Sequence, residues 1–177
     1  DAPFEALIEG DIDDWVFSTE TSHRLVFANG HFIAGLSSID ELSATTVVGN
    51  LRTLMASAPE LAEQHLGYRT GFEADVFDAL NRICVSDGLF LQVPADTIID
   101  KPIEIVYVNI GDEQQSLITP RSVIMLQAGA RATLIERHIS TGDSHYLFNG
   151  VTRISMDHGA QLQHYRLQQE SVNAHHL

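Results

Sequence analysis

The chain has 177 residues, 44% of them apolar, so it can bury a core and is not a disordered segment. Its 24 acidic residues outnumber its 10 basic residues and give a formal net charge of −14, which argues against nucleic acid and anionic membranes as partners. The one cysteine, Cys84, permits no internal disulfide and favours a cytoplasmic location, and no apolar run approaches the roughly 18 residues of a membrane span.

The first 85 residues predict a small α-rich region that contains one β-hairpin. The hairpin is expected over 24–34, because Asn29 and Gly30 together readily take the positive φ angles of a two-residue type I′ turn between two apolar runs. Leucines at helical spacing predict a helix over 50–58, and Pro59 suits the first turn of the next one.

A third helix is predicted over 72–85. Apolar residues recur there at spacings of three and four, among them Phe77, Leu80 and Cys84, while charged residues take the opposite side. We expect this apolar stripe to pack against the rest of the chain. Cys84 is then a small hydrophobic side chain and not a nucleophile.

A strand-rich unit repeats in the second part of the chain. The hydrophobic period changes from 3.6 to 2 after residue 85, which predicts a domain over 86–177. Gly129 and Gly159 lie 30 positions apart (159 − 129), each followed by alanine and flanked by strand-like runs, and a looser copy has Asp96 in place of the glycine. Such a repeat is typical of stacked coils. The sequence therefore predicts a mainly β fold, a parallel β-helix (solenoid) that is truncated at its C-terminal end.

The same repeat predicts how the strands pair. If the corners set the register, the stacked pairs are Gly129 over Gly159, Ala132 over Leu162, Leu134 over His164, and Glu136 over Arg166. The last of these pairs would be a cross-strand ion pair.

Nine histidines suggest a metal site, but their spacing gives it little support. No His-x-His pair occurs in the sequence, and His138, His145 and His164 do not share a register relative to the corners. The sequence also lacks a phosphate-binding glycine loop, a nucleophile elbow and paired zinc-ligand spacings. We therefore assign no catalytic, cofactor-binding or metal-binding residue, and we expect a protein that is not an enzyme.

Several phrases, in their order and spacing, resemble the SufB/SufD family of iron–sulfur cluster assembly proteins, most of all its SufD members. The resemblance runs from about Leu25 to the end of the chain. The phrases that carry it are Leu25 to Phe32, Ala79-Leu80-Asn81, Asp87 to Pro94, Lys101-Pro102-Ile103, Pro120 to Ile124, Gly129-Ala130 with Glu136, and His164 to Gln168.

This resemblance implies a right-handed parallel β-helix behind a small helical region. It also implies a non-catalytic scaffold subunit whose full-length form works with SufB-like and SufC-like subunits, the latter an ATPase. No cofactor is expected in this chain, since the complete complex would handle the iron–sulfur cluster transiently. The open last coil is expected to allow self-association.

Two other readings stay open from the residues alone. A cupin-like metal-dependent enzyme would also have glycine-punctuated strands, and it would bind its metal through His138, His145 and His164. A β-helical polysaccharide-active domain would need clustered carboxylates, which Glu136 and Glu170 do not obviously provide. Metal analysis of untagged protein separates the first reading from the assembly subunit.

Overall fold

The computed structural model describes residues 12–39, 42, 45–66, 76–110, 116–141 and 145–177. Within them the fold is mixed α/β, with three sheets and short helices. The strands are β1 His23–Ala28, β2 His31–Phe32, β3 Val47–Asn50, β4 Leu89–Val93, β5 Ile103–Ile110, β6 Ser116–Ile118, β7 Arg121–Leu126, β8 Arg131–Thr141, β9 Tyr146–Phe148, β10 Val151–Met156, β11 Gln161–Gln169 and β12 Ala174–His176. The α-helices are α1 Leu51–Ser57, α2 Pro59–Leu66 and α3 Val76–Cys84.

Most neighbouring strands run parallel. The first sheet has the order β11-β8-β5-β1-β2, the second β10-β7-β4-β3, and the third β12-β9-β6. The pairs β1–β2 and β3–β4 are antiparallel, and the other pairs between these strands are parallel. None of the described helices has the length and apolarity needed to cross a membrane.

The first sheet is buried on both faces at its centre. Alternate residues of β1 and β5, such as Leu25 and Ile105, join the main core, while Val26 and Val106 face a second apolar cluster on the other side. This explains why these strands are almost continuously apolar in sequence. Helix α1 covers the second sheet, where Leu51 packs with residues of β4 and β7.

The sharp corners lie where the repeat predicted them. Gly129 and Gly159 have φ angles of 71° and 72°, and Asp96, in the looser copy, has a φ of 55°. The corners are joined by hydrogen bonds, from the Asp96 amide to the Ala128 carbonyl at 2.8 Å and from the Gly129 amide to the His158 carbonyl at 3.0 Å.

The predicted local pairings are confirmed. Strands β8 and β11 pair with Ala132 opposite Leu162 and Glu136 opposite Arg166. The hairpin is also present, with positive φ angles of 45° at Asn29 and 79° at Gly30 between antiparallel β1 and β2.

The predicted fold class is wrong. We expected a right-handed parallel β-helix behind an α-rich N-terminal region, whereas the described residues form a mixed α/β fold of three sheets. The N-terminal part is not α-rich, because β1, β2 and β3 take places in two of these sheets. The repeat predicted the pairing of β8 with β11, but it held no information on the antiparallel pairs that the first 85 residues add. The division of the chain at 85 stays a prediction.

The predicted packing of the third helix is also wrong. Residues 72–75 lie outside the described ranges, and three apolar side chains of α3 are exposed, Val76 by 70%, Phe77 by 42% and Ile83 by 84%, while Leu80 is only half-buried. Cys84 is exposed as well. The residue that α3 buries is Asn81, because its side-chain amide makes hydrogen bonds to the loops that flank β7 and β9.

Candidate functional site

Polar side chains gather where β8, β11 and β12 come together. Alternation along a strand puts side chains two positions apart on one face, and the parallel register brings β11 beside β8. After β11 the chain turns back so that β12 pairs with β9. The group, which we call the polar cluster, consists of Glu136, His138, His164, Arg166, Glu170 and His176.

Glu136 lies at the centre of the polar cluster and is buried. Its Oε1 lies 2.7 Å from His138 Nε2 and 3.3 Å from Arg166 Nη2, and its Oε2 lies 3.0 Å from His164 Nε2. Burial raises the pKa of Glu136, but the hydrogen bonds from the two imidazoles and the nearby guanidinium outweigh it and hold this pKa well below the usual range. The carboxylate is therefore ionised.

His138 is fully buried and fixed by aromatic neighbours. Its ring stacks on Tyr107 with centroids 5.0 Å apart and meets Phe148 edge-on at 4.8 Å. Burial lowers the pKa of His138 despite the adjacent Glu136, so the ring is neutral at pH 7. A neutral imidazole has one N–H, and the 2.7 Å contact with the Glu136 carboxylate assigns it to Nε2.

This tautomer leaves His138 Nδ1 with a lone pair. Nδ1 is buried and has no hydrogen-bond partner. The other neighbour of Nε2, Arg166 Nε at 3.3 Å, is then a contact between two donors and not a hydrogen bond. An unsatisfied buried polar atom costs about 1–3 kcal/mol, so this nitrogen is an unusual feature of the core.

Glu170 and His176 form the outer side of the polar cluster. His176 Nδ1 lies 2.8 Å from Glu170 Oε2, and the Tyr146 hydroxyl donates to Glu170 Oε1 at 2.7 Å. Burial raises the pKa of Glu170, but its hydrogen bonds with His176 and Tyr146 lower it to about 2. Burial likewise raises the pKa of Tyr146, to about 12, so its hydroxyl stays a donor.

Arg166 closes the cluster toward solvent. Its Nη2 lies 2.7 Å from His176 Nε2. A guanidinium can only donate, so Nε2 of His176 accepts and its Nδ1–H donates to Glu170. The Arg166 side chain is 42% exposed, more than the 27% of His164.

One trio within the polar cluster has the chemistry of metal ligands. One ligand atom each from His138, Glu170 and His176 lies within 4.8 Å of the others. The trio that the enzyme reading required is not assembled, because His145 is exposed beside β9 and His164 is bonded to Glu136.

The sequence suggested His138 as a possible metal ligand, but it gave no reason to group His138 with Glu170 and His176. The repeat gave the register of β8 and β11, and counting along it places Arg166 beside Glu136. His176 comes from β12, which is paired with β9 in another sheet, so no ladder register relates it to His138. Only the turn after β11 brings them together.

Comparison with known proteins identifies the family. Residues 16–105 match the family described as the SufBD protein N-terminal region, and residues 108–177 match the SufBD core domain of SUF system FeS cluster assembly. The chain belongs to the SufBD family. Among SufBD relatives, it is 28% identical over 162 residues to an iron–sulfur cluster assembly SufBD family protein of Synechocystis sp., which covers 87% of the chain and 36% of that protein.

A second SufBD relative is the iron–sulfur cluster assembly protein SufD of Escherichia coli K12. It is 26% identical over 161 residues, which cover 90% of the chain and 35% of that protein. The chain thus spans about a third of the length of both relatives. These matches confirm the resemblance to the SufB/SufD family, and they do not support the cupin-like enzyme.

Proposed function

We propose that this protein is a non-catalytic subunit of the SUF machinery for iron–sulfur cluster assembly. It acts in the cytoplasm, and its full-length form works with a SufB-like subunit and a SufC-like ATPase. The observation that carries the proposal is the pair of consecutive SufBD matches, 16–105 and 108–177, which follow one another in the order of the family's two regions and span most of the chain.

Buried ion pairs between different elements of the fold support a scaffold role. Glu104 is fully buried in β5, and its carboxylate accepts from Arg137 Nε at 2.6 Å and from the Phe17 amide at 3.1 Å. Arg121 is buried as well, and it bonds Asn81 and Asp78 of α3, each at 2.8 Å. These ion pairs join different elements of the fold, so their role is to hold segments in place.

An open sheet edge supports a role in assembly. Among the described strands, β10, β11 and β12 are each the outer strand of their sheet on the same side of the parallel ladders. Large apolar side chains on this edge are exposed, including Met156, Tyr165 and Leu167. An outer strand with unpaired backbone groups is a site for pairing with further polypeptide. We propose that this edge meets other parts of the complex.

Co-purification tests the proposal. The full-length protein is produced together with the SufB-like and SufC-like proteins of the same organism, and a tag on the SufC-like subunit is expected to recover all three. Depleting the protein in cells should lower the activity of iron–sulfur enzymes, with an iron-free enzyme of the same pathway as control. A full-length protein that purifies without the other two subunits, and whose loss leaves iron–sulfur enzymes active, would overturn the assignment.

A further inference from the structure

We propose that His138, Glu170 and His176 bind a divalent transition-metal ion, Zn²⁺ or Fe²⁺, and that the neighbouring Arg166 guanidinium competes with this ion. This inference goes beyond the assembly role. It rests on the geometry of one cluster and is measured by metal binding alone.

The three side chains are a ligand set of known preference. Two imidazoles and one carboxylate, with the remaining positions open, are typical of zinc and non-haem ferrous sites. Their ligand atoms lie within 4.8 Å of one another, whereas ligands at 2.0–2.1 Å around a tetrahedral Zn²⁺ are about 3.3 Å apart. Glu170 and His176 are only partly buried, so they can move inward by this amount while the stacked ring of His138 stays fixed.

His138 is already prepared as a ligand. A metal-bound histidine usually donates its second ring N–H to a carboxylate, which fixes the tautomer and makes the other nitrogen more basic. Glu136 provides this carboxylate at 2.7 Å from His138 Nε2. The second ring nitrogen, Nδ1, is the buried atom that no protein group satisfies.

The charges around the trio favour a cation. Two carboxylates, Glu136 and Glu170, and one guanidinium, Arg166, surround the trio, and the guanidinium lies 3.3 Å from Glu136 Oε1. Two carboxylates beside one guanidinium favour the binding of a cation at the trio.

Arg166 is placed to compete with the ion. Its guanidinium donates to Nε2 of His176 at 2.7 Å, and metal coordination through Nδ1, the ring nitrogen beside Glu170, would put the ring proton on Nε2 and remove this acceptor. The side chain is 42% exposed, so it can turn into water without leaving a buried charge behind. Removing the arginine should therefore strengthen metal binding, which a merely structural ion-pair cluster would not do.

The experiment uses untagged, metal-free full-length protein and titration calorimetry with Zn²⁺, and with Fe²⁺ under anaerobic conditions. His176→Ala and Glu170→Gln are expected to lose one bound ion or to weaken its binding more than about 100-fold, and Glu136→Gln to weaken it about 10- to 100-fold. Arg166→Gln is expected to tighten binding about tenfold. Co²⁺ added in place of Zn²⁺ should give visible ligand-field bands that depend on the same residues.

Two matched variants serve as controls. His175→Ala removes the adjacent histidine of β12, which is exposed and points to the other side of the strand, and Arg131→Gln removes the same charge as Arg166→Gln at the far end of β8. Neither should change the affinity, and circular dichroism should show all variants folded. Equal losses for His175→Ala and His176→Ala, or an Arg166→Gln variant that binds no tighter than Arg131→Gln, would overturn the site. Co-purification with the SUF subunits is scored separately, so failure of either proposal is distinguishable from failure of the other.

Discussion

Gly129 and Gly159 occupy equivalent corners of the repeat, but a single side-chain atom makes the space around them different. Gly129 and Gly159 have almost the same positive φ, a region that costs an L-residue with a Cβ about 1–2 kcal/mol. A Cβ on Gly159 would find its nearest neighbour at 3.9 Å, whereas one on Gly129 would collide with Oδ1 of Asp96.

We therefore predict that Gly129→Ala destabilises the protein more than Gly159→Ala. Gly159→Ala should lower the free energy of unfolding by about 1 kcal/mol from backbone strain alone, and Gly129→Ala by about 1 kcal/mol more from the added collision. Urea unfolding of both variants measures the difference. In the background of Asp96→Gly, which removes the obstructing carboxylate, the two alanine variants should become equal. A difference that persists in that background would show that the contact with Asp96 is not the cause.

The electrostatics of Asp78 give a second prediction at the residue scale. Burial raises the pKa of Asp78, but Arg121 at 2.8 Å and Arg82 at 2.9 Å outweigh it, so the pKa is lowered. A lowered folded-state pKa means stability that is present above the unfolded value of 3.8 and is lost as pH falls through the folded value. Asp78→Asn should thus cost about 1.5–3 kcal/mol at pH 7, because Arg121 loses its charged partner.

This cost should shrink as the solution is acidified below about pH 4, since the wild-type carboxylate then becomes neutral as well. The measurement is denaturant unfolding of both proteins at pH 7, 5 and 3. Glu20→Gln, which neutralises an exposed carboxylate, is the control and should change little at any of these pH values. A gap between Asp78→Asn and wild type that does not narrow at low pH would mean that charge is not what Asp78 contributes.

At the element scale, the sequence predicted the features that depend on local chemistry. Asn29 and Gly30 specify a turn because few other residue pairs take two positive φ angles, and the corner glycines fixed the register of β8 and β11 for the same reason. The fold as a whole was not predictable in this way. Pairing of β1 with β5 joins residues about 80 positions apart, and no repeat relates them.

In helix α3 the apolar stripe predicted the wrong buried residues. The spacing of its apolar residues indicated a buried face, yet the buried residue is Asn81, whose amide nitrogen donates to the Pro120 and Asn149 carbonyls at 2.9 and 2.8 Å. Its Oδ1 accepts from Arg121 Nη1 at 2.8 Å. Pro120 directly precedes β7, Arg121 begins it, and Asn149 directly follows β9, so the sequence of the helix gives no indication of these partners.

We predict that Asn81→Ala destabilises the protein by about 3 kcal/mol, because it leaves two carbonyls and a buried guanidinium without their partner. Phe77→Ala, on the 42%-exposed side of the same helix, should cost less than about 1 kcal/mol. Thermal and urea unfolding compare the two variants. The opposite ranking would mean that the apolar stripe of α3 is covered in the folded protein, as its spacing first indicated.

At the scale of the whole molecule, two properties oppose each other. The net charge of −14 makes copies of the chain repel one another. The edge formed by β10, β11 and β12 has backbone groups that no further described strand pairs with, and it has exposed apolar side chains. Both features favour pairing between copies. Salt separates the two effects, because it screens the repulsion and leaves the contact between apolar edges intact.

We therefore predict that the 177-residue chain self-associates, and that the association strengthens as ionic strength rises from about 0.01 M to about 0.15 M, where the screening length falls from about 30 Å to about 8 Å. Tyr165→Lys places a charge on outer strand β11, where the tyrosine is 54% exposed, and should weaken the association. Val47→Lys adds the same charge on β3, the opposite edge of the second sheet, and should weaken it much less. Sedimentation equilibrium at several protein concentrations gives the association constants. A chain that stays monomeric at every salt concentration, or that responds equally to both lysines, would show that the edge of β10, β11 and β12 is not the surface through which copies meet.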